Sequence, residues 1–371
     1  MGIHNLHQIL QKYAPNCYKT RHLSDFSNQK VAIDISLYLY KFKSFSGERW
    51  LDSFIGLIQC LRKWNIHPIF IYDGKAPIEK FDEQNKRRQS KNKQNEKIVE
   101  LEKQIKLYEE TGEIGIMLSE MCYTKVPSLF RPSSNNKSNF NINIAKEKLK
   151  TLKDAIFSIT DEDIALTKEL FDILTVPYIE APSEAECYAS HLCFYGQVDS
   201  VLSEDTDVLV YKTPSFLSKI DTLNNTVTEI NYREMIEELE FTEEMFTDFC
   251  IMCSCDYNNN IPLIGPEKSY NLIKTFRSIE NVINELKQIK NKDQSPKYTD
   301  DMFSVLKYER CRELFSTDFN NIKEKDKSKN MYTSIPNFEY LNEFMFRNNI
   351  KYNIENLKKY TNPYEICFLE E

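Results

Sequence analysis

Glu180-Ala-Pro-Ser-Glu184-Ala-Glu186-Cys-Tyr-Ala-Ser190 and, after a short interval, Val201-Leu-Ser-Glu-Asp205-Thr-Asp207-Val-Leu-Val-Tyr211 form the stretch whose reading decides the fold. After Glu180, five acids fall within it: Glu184, Glu186, Glu204, Asp205 and Asp207. Pro182-Ser183 opens a predicted helix, which puts Glu184 and Glu186 in its first turn. The apolar runs Val198–Leu202 and Val208–Tyr211 bracket Asp205 and Asp207 as a buried parallel strand and its neighbour would. Carboxylates crowded beside a buried sheet repel one another, and a hard divalent cation with oxygen ligands keeps them ionised. A structural reading stands beside this one. Ser183-x-x-Glu186 also matches a capping box, and an Asp after a strand serves equally as a turn residue.

The same setting recurs on either side. Lys30-Val-Ala-Ile-Asp34 reads as a buried strand ending in an acid, and Ser36–Phe42 as the helix after it. Trp50–Trp64 is an amphipathic helix, and Pro68-Ile-Phe-Ile-Tyr-Asp73 a second buried strand ending in an acid. Two such strands with a helix between them predict a βαβ unit and a mostly parallel sheet flanked by helices. Ligands of such sheets sit beyond the carboxyl ends of the strands, where Asp34 and Asp73 fall. Residues 1–30 read as a helix and a loop. Ile78–Glu110 is helical throughout, basic in its first half and amphipathic in its second. Gly112–Asn143 breaks up, and its Asn- and Ser-rich part is expected to be mobile. Helix resumes by Ile144 and again over Asp161–Leu174. Phe241–Cys253 is an apolar helix leading to Cys255-Asp256-Tyr257. A turn with Gly265-Pro266 and another helix follow, and the last ninety residues alternate short helices with Lys- and Asn-rich loops.

Composition sets the outer bounds. The 371 residues suffice for one large or two modest domains, and a hydrophobic content of 41% is ordinary for a globular chain. No apolar run approaches a membrane span, and the N-terminus lacks the apolar core of a signal peptide. Ten cysteines scattered through apolar segments predict a reducing, intracellular compartment, nucleus or cytoplasm. The net charge of −8 is unexpected for a nucleic-acid partner. If seven carboxylates share one site, two divalent ions there would bring −8 to −4, leaving the basic residues a face of their own.

Gly2, Val-Ala-Ile-Asp34, Tyr-Asp73-Gly-Lys, Glu-Ala-Pro-Ser-Glu184-Ala-Glu186, Ser-Glu-Asp205-Thr-Asp207 and Cys-Asp256-Tyr followed by Ile-Gly265-Pro stand in an order that resembles the flap endonucleases, the XPG-type structure-specific 5′ nucleases. The resemblance runs from Met1 to about Lys359 and fades in the middle of the family's arch. It implies a 5′-nuclease (PIN-like) α/β fold with a helical arch and a helix–two-turn–helix that grips duplex. Its domain boundaries would be residues 1–77 and 159–285 for the core, 78–158 for the arch and 286–371 for a helical extension. It implies that Asp34, Asp73, Glu184, Glu186, Asp205, Asp207 and Asp256 hold two Mg2+ ions, with Mn2+ able to substitute. Lys80 and Arg87 would lie over the scissile phosphate, Tyr40 would stack on the neighbouring base, and the Gly2 amine would lie near the site. Arg88, Lys91, Gly265 and Lys268 would touch DNA. The implied substrates are 5′ flaps and nicked or gapped duplex, cut by a monomer unless DNA assembles it.

Alternatives and departures accompany that reading. Lys80 and Arg87, seven apart on one predicted helix, could be a solvated basic face, and Tyr40 could be a core tyrosine. The family's Gly-Ile-Gly is Leu263-Ile264-Gly265 here, which sets the implied K+ site at the two-turn motif against a residue with a side chain. Cys250-x-x-Cys253-x-Cys255 suggests zinc but lacks a second ligand pair. The interval from Asp73 to Glu184 is longer than the family's, which predicts an enlarged arch. The C-terminal residues carry neither a sliding-clamp peptide nor a basic tail, which suits a compact viral or lower-eukaryote homologue. The rival outside the enzyme class is a catalytically dead DNA-binding scaffold, and the presence of all seven acids speaks against it.

Overall fold

The computed structural model describes residues 2–122, 140–316 and 331–361. The chain divides into two compact units, Met1–Phe81 with Asp161–Glu371, and Asp82–Thr160. No helix among the described residues is long and apolar enough to cross a membrane.

The larger unit is built on a seven-stranded mixed sheet. Its strands are β1 (Tyr18–His22), β2 (Lys30–Asp34), β3 (His67–Tyr72), β4 (Tyr178–Glu180), β5 (Ser200–Leu202), β6 (Ser215–Asp221) and β7 (Thr226–Asn231), in the order β1-β7-β6-β5-β2-β3-β4. The five strands from β4 to β6 run parallel; β7 and β1 are antiparallel additions at the other edge. In β2, residues Val31 to Asp34 are all buried, the pattern of a strand covered on both faces. Ile33 pairs with Phe70 of β3 on one side and with Leu202 of β5 on the other. The chain builds outward from β2 through β3 to β4, then returns to lay β5 and β6 on the opposite side. The order therefore reverses between β2 and β5, and a crevice opens beyond the carboxyl ends of those strands.

Helices fill both faces. On one, α2 (Ile35–Ser46), α3 (Trp50–Lys63) and α7 (Asp161–Ile173) pack through aromatics: Phe54 lies edge-on to Phe70 and Phe171, and the last two stack with centroids 4.2 Å apart. On the other, α8 (Ala185–Phe194) lays Ala185, Ala189 and Leu192 on Ile69, Ile71 and Val201. That core continues through α1 (Leu6–Tyr13), α10 (Tyr232–Leu239), α11 (Glu243–Cys253), α12 (Pro266–Phe276), α13 (Ile279–Gln288), α14 (Asp300–Phe303) and α15 (Tyr308–Phe315). Two terminal helices, α16 (Phe338–Arg347) and α17 (Glu355–Thr361), return against α7 and α3.

The smaller unit holds α4 (Phe81–Thr111, beginning one residue before the boundary), α5 (Ile116–Cys122) and α6 (Ile142–Ala155) around a core of Leu101, Ile105, Leu118, Cys122 and Ala145. The side chain of Gln104 accepts from the N–H groups of Met117 and Leu118, satisfying donors at the start of α5. Ion pairs Lys146–Glu109 and Lys153–Glu102 tie α6 to α4.

Several expectations are corrected. Val208–Tyr211 is not a strand: Asp207–Val210 forms one helical turn. The reason is local, since the Asp205 carboxylate accepts from the Asp207 N–H at 3.1 Å and folds the chain on itself. The loop expected before residue 30 contains β1, and β6 and β7 form a hairpin. The capping box at Ser183 does not form. Glu184 is the N-cap of α8 and its side chain caps nothing; Asp73 supplies the acceptor instead, 2.9 Å from the Ala185 N–H. Lys80 is not on the helix of Arg87: it ends a 3-10 turn, Ile78–Lys80, that follows Pro77, so their spacing of seven does not place them on a common helical face. Between Gly112 and Asn143 the break is interrupted by α5, while the segment expected to be mobile lies mostly at 123–139, outside the described residues.

Candidate active site

The acids reach the crevice from separate segments. Asp34 ends β2 and caps α2, accepting from the Ser36 N–H at 2.9 Å. Asp73 follows β3 and is exposed; besides capping α8 it accepts from the Ser36 hydroxyl at 2.5 Å. Glu184 and Glu186 come from the start of α8, Asp205 and Asp207 from the turn after β5, and Asp256 from the loop after α11. Glu204 leaves the group, pairing with Lys41 on α2.

Burial and mutual repulsion dominate the electrostatics. Asp34 is pushed up to about 8, by desolvation first and then by Asp73. Burial, followed by the fields of Asp34, Asp205 and Asp73, lifts Glu186 well above the ordinary carboxylate range. Asp205 is raised by burial, with Asp256 adding to it, and Asp207 well raised by burial, then by Asp205 and Asp256. These couplings join Asp34, Asp73, Glu186, Asp205, Asp207 and Asp256 in one field. Lys80 is the protein's own counter-charge. Its ammonium pairs with Glu184 and lies 3.0 Å from Asp256. Burial alone would lower its pKa, but Glu184, Asp256 and Glu186 together outweigh that and raise it, so Lys80 stays charged.

The donor set fits hard divalent ions. Every donor is a carboxylate oxygen, and Asp207 Oδ1 is buried with no protein partner. Among the described residues no three His, Cys, Asp or Glu side chains converge closely enough to cage one ion. The acids share one field instead, and Mg2+ keeps several waters and takes few carboxylates directly. The zinc reading finds no support: Cys250 and Cys253 are packed in the core, Cys255 bonds to Asn258, and no metal-holding cysteine group exists among the described residues.

Residues that sequence reasoning missed hold the acids in place. The Tyr257 hydroxyl donates to Glu184 Oε2 at 2.5 Å, and Tyr211 meets Tyr257 from behind at 3.0 Å. Gly74 brings the loop after β3 against the β4–α8 connection; a Cβ there would lie 2.1 Å from the Ala181 carbonyl oxygen. Gly2 has φ +86°, and a Cβ on it would come 2.0 Å from Asp205 Oδ1 and 2.8 Å from Asp207 Oδ1. Tyr257 and Gly74 sit beside Asp256 and Asp73 in sequence; that adjacency was their only signal.

Tyr40 is 48% exposed on α2, which removes the core-tyrosine alternative; the neighbouring Tyr38 is the buried one. Arg87 and Arg88 are exposed on α4, with Arg87 paired to Glu83, while Lys91 bonds to the Phe157 carbonyl and Ser158 within the smaller unit. In the turn before α12, Leu263 takes φ +69° and is 72% exposed. Gly265 N-caps α12, and Lys268 donates to the Tyr298 hydroxyl at 2.8 Å.

Two family models match the chain: the XPG N-terminal domain over residues 1–94 and the XPG I-region over residues 175–256. The chain is similar to a probable RAD2-like endonuclease of Invertebrate iridescent virus 3, 34% identical over 93% of both chains. It is also similar to flap endonuclease 1-2 of Paramecium tetraurelia, 31% identical over 85% of this chain and 76% of that one. Among solved structures, the catalytic core of Rad2 in complex with DNA substrate shares the fold with a TM-score of 0.59 and 18% identity, covering 92% of this chain and 94% of the other.

Proposed function

From the chain's membership of the XPG family of RAD2-like and flap endonucleases, we propose that it is a Mg2+-dependent, structure-specific 5′ nuclease that cuts branched DNA near the junction of a 5′ flap with duplex, with 5′-to-3′ exonuclease action as its companion. The observation that carries this reading is the gathering of acids from five chain segments at the carboxyl ends of the strands, several with raised proton affinity. Asp34, Asp73, Glu184, Glu186, Asp205, Asp207 and Asp256 are the proposed holders of two divalent ions. Ions bound there would supply Lewis-acid stabilisation of phosphate charge and would acidify water.

The chain's own groups do the remainder. Lys80, charged and partly buried, presents positive charge at the acid cluster and is proposed to meet the scissile phosphate as charge builds on it. Tyr257 fixes the rotamer of Glu184, and Ser36 with the Ala185 N–H fixes Asp73. Tyr40 is proposed to stack on a base, a contact that an exposed ring can make. Arg87, Arg88 and Lys91 are proposed phosphate contacts on single-stranded DNA, and the turn through Leu263, Gly265 and Lys268 a contact to duplex. A K+ ion bound by backbone carbonyls near Leu263 belongs to the same proposal.

The test uses Asp205→Asn and Asp256→Asn with labelled 5′ flap, nicked duplex, four-way junction and single-stranded RNA. Both variants should bind the flap with near wild-type affinity and fail to cut it. Cleavage by either at close to the wild-type rate would remove that residue from the metal set. Wild-type protein that cut RNA or the four-way junction in preference to the flap would overturn the substrate assignment.

A further inference from the structure

Arg62, near the end of α3, carries a charge that its protein surroundings do not answer. It is 8% exposed. Its guanidinium donates to two neutral carbonyls, Ser334 O at 2.8 Å and Leu174 O at 2.5 Å, with a longer contact of 3.5 Å to the Thr175 hydroxyl. Its Nε is buried with no acceptor. No carboxylate partner exists among the described residues, and burial alone pulls its pKa down to about 10. A buried cation without an anion is a costly arrangement for a protein to keep unless something compensates it.

A cavity of about 190 Å3 lies against this side chain, lined by Arg62, Asn65, His67, Thr333, Ser334 and Thr361 among others. His67 opens β3 and meets the Thr333 hydroxyl at 3.0 Å. Its proton affinity is lowered, by burial first and then by Arg62 and Lys30, so the positive fields of both cations reach it. Lys30 opens β2 and sits over the Tyr332 ring, which in turn packs edge-on to His67. Hydroxyls and cationic groups thus face one another at the amino ends of β2 and β3, the opposite end of the strands from the acids.

We propose that this cavity is a second ligand site, which takes a single phosphate-sized oxyanion on the face of the Arg62 guanidinium that lines it, with the Thr333 and Ser334 hydroxyls as further donors. The volume favours one such group, being below the roughly 300–1,000 Å3 of sites that enclose drug-sized ligands. The tetrahedral oxyanion is the shared chemistry of two sources, free inorganic phosphate and the phosphate monoester at a nucleic-acid end. The site owes nothing to the nuclease reading, and its test runs without divalent metal.

Phosphate replaces chloride at constant ionic strength, in the presence of a chelator, and the melting temperature and the His67 ring resonances are followed. The wild-type Tm should rise by about 2–4 °C at saturation, and the His67 titration should move to higher pH as an anion offsets the cations. Arg62→Met should abolish both. Because Arg62 also ties α3 to α7, Thr333→Val serves as a gentler variant, expected to fold normally and bind phosphate several-fold more weakly. A 5′-phosphorylated trinucleotide that displaces phosphate assigns the site to strand ends, and one that does not assigns it to the free ion. The proposal falls if phosphate moves neither Tm nor His67, or moves them equally in wild type and both variants.

Discussion

Glu184 shows how a single side chain is prepared for its work. One oxygen takes the Tyr257 hydroxyl and the other the Lys80 ammonium, so its orientation is set from two sides. Tyr257→Phe leaves the ring packed and removes only the donor. If Glu184 holds a divalent ion as proposed, losing the group that orients it costs roughly 10–100-fold in metal affinity or activity. A single-turnover Mg2+ titration should therefore shift by that factor while flap affinity holds. An unchanged titration would reduce Tyr257 to packing. Gly2→Ala should abolish cutting without unfolding the chain, because its Cβ would enter the space of Asp205 Oδ1; a variant that still cuts would place Gly2 outside the site. Asp34, Asp73, Asp205 and Asp256 were legible in the sequence because each follows an apolar run, where a sheet delivers its last residue to a crevice. Tyr257, Ser36 and Gly74 were not, since each earns its role from a partner in another segment: Glu184, Asp73 and the Ala181 carbonyl.

At the scale of the element, the turn before α12 places a leucine in a backbone conformation that favours glycine, and that choice has an energetic sign. Leu263 sits in the left-handed region, which costs an L-residue roughly 1–2 kcal/mol. Glycine there would remove that strain and forfeit roughly 0.5–1 kcal/mol of unfolded-state entropy. The side chain is mostly exposed, so little burial is lost. Leu263→Gly should thus be neutral to about 1 kcal/mol stabilising by urea unfolding, and Leu263→Val destabilising. A clear loss with glycine would mean that the leucine makes contacts its exposure does not suggest. The parallel strands were legible from continuous apolar runs. β1 was not, because Tyr-Lys-Thr-Arg-His is a polar edge strand whose identity depends on β7. The helical turn Asp207–Val210 was misread as a strand because four apolar residues carry no period, and a side-chain bond from Asp205 decided the matter.

For the molecule as a whole, the proposed metal role of the acid cluster would make a divalent ion a partner in stability. Asp34, Glu186, Asp205 and Asp207 bind protons more tightly in the folded chain than in the unfolded one. A raised carboxylate pKa contributes stability that is complete below the ordinary value and lost as pH climbs through the folded one, which for Asp34 spans 3.8 to about 8. The metal-free protein should therefore melt at progressively lower temperature from about pH 5 to about pH 8, and saturating Mg2+ should restore most of the loss at the upper end. A flat metal-free profile would mean that the cluster is less desolvated than its burial implies. That Asp34, Asp73, Glu186, Asp205, Asp207 and Asp256 share one field was legible only through their order along the chain, since periodicity cannot say which strand lies beside which. The reversal between β2 and β5 bears on how such a protein is made. Its acids are spread from Asp34 to Asp256, and β5 enters the middle of the sheet long after β2 and β3 have left the ribosome. A nascent chain therefore carries Asp34 and Asp73 long before it can set Asp205, Asp207 and Asp256 beside them.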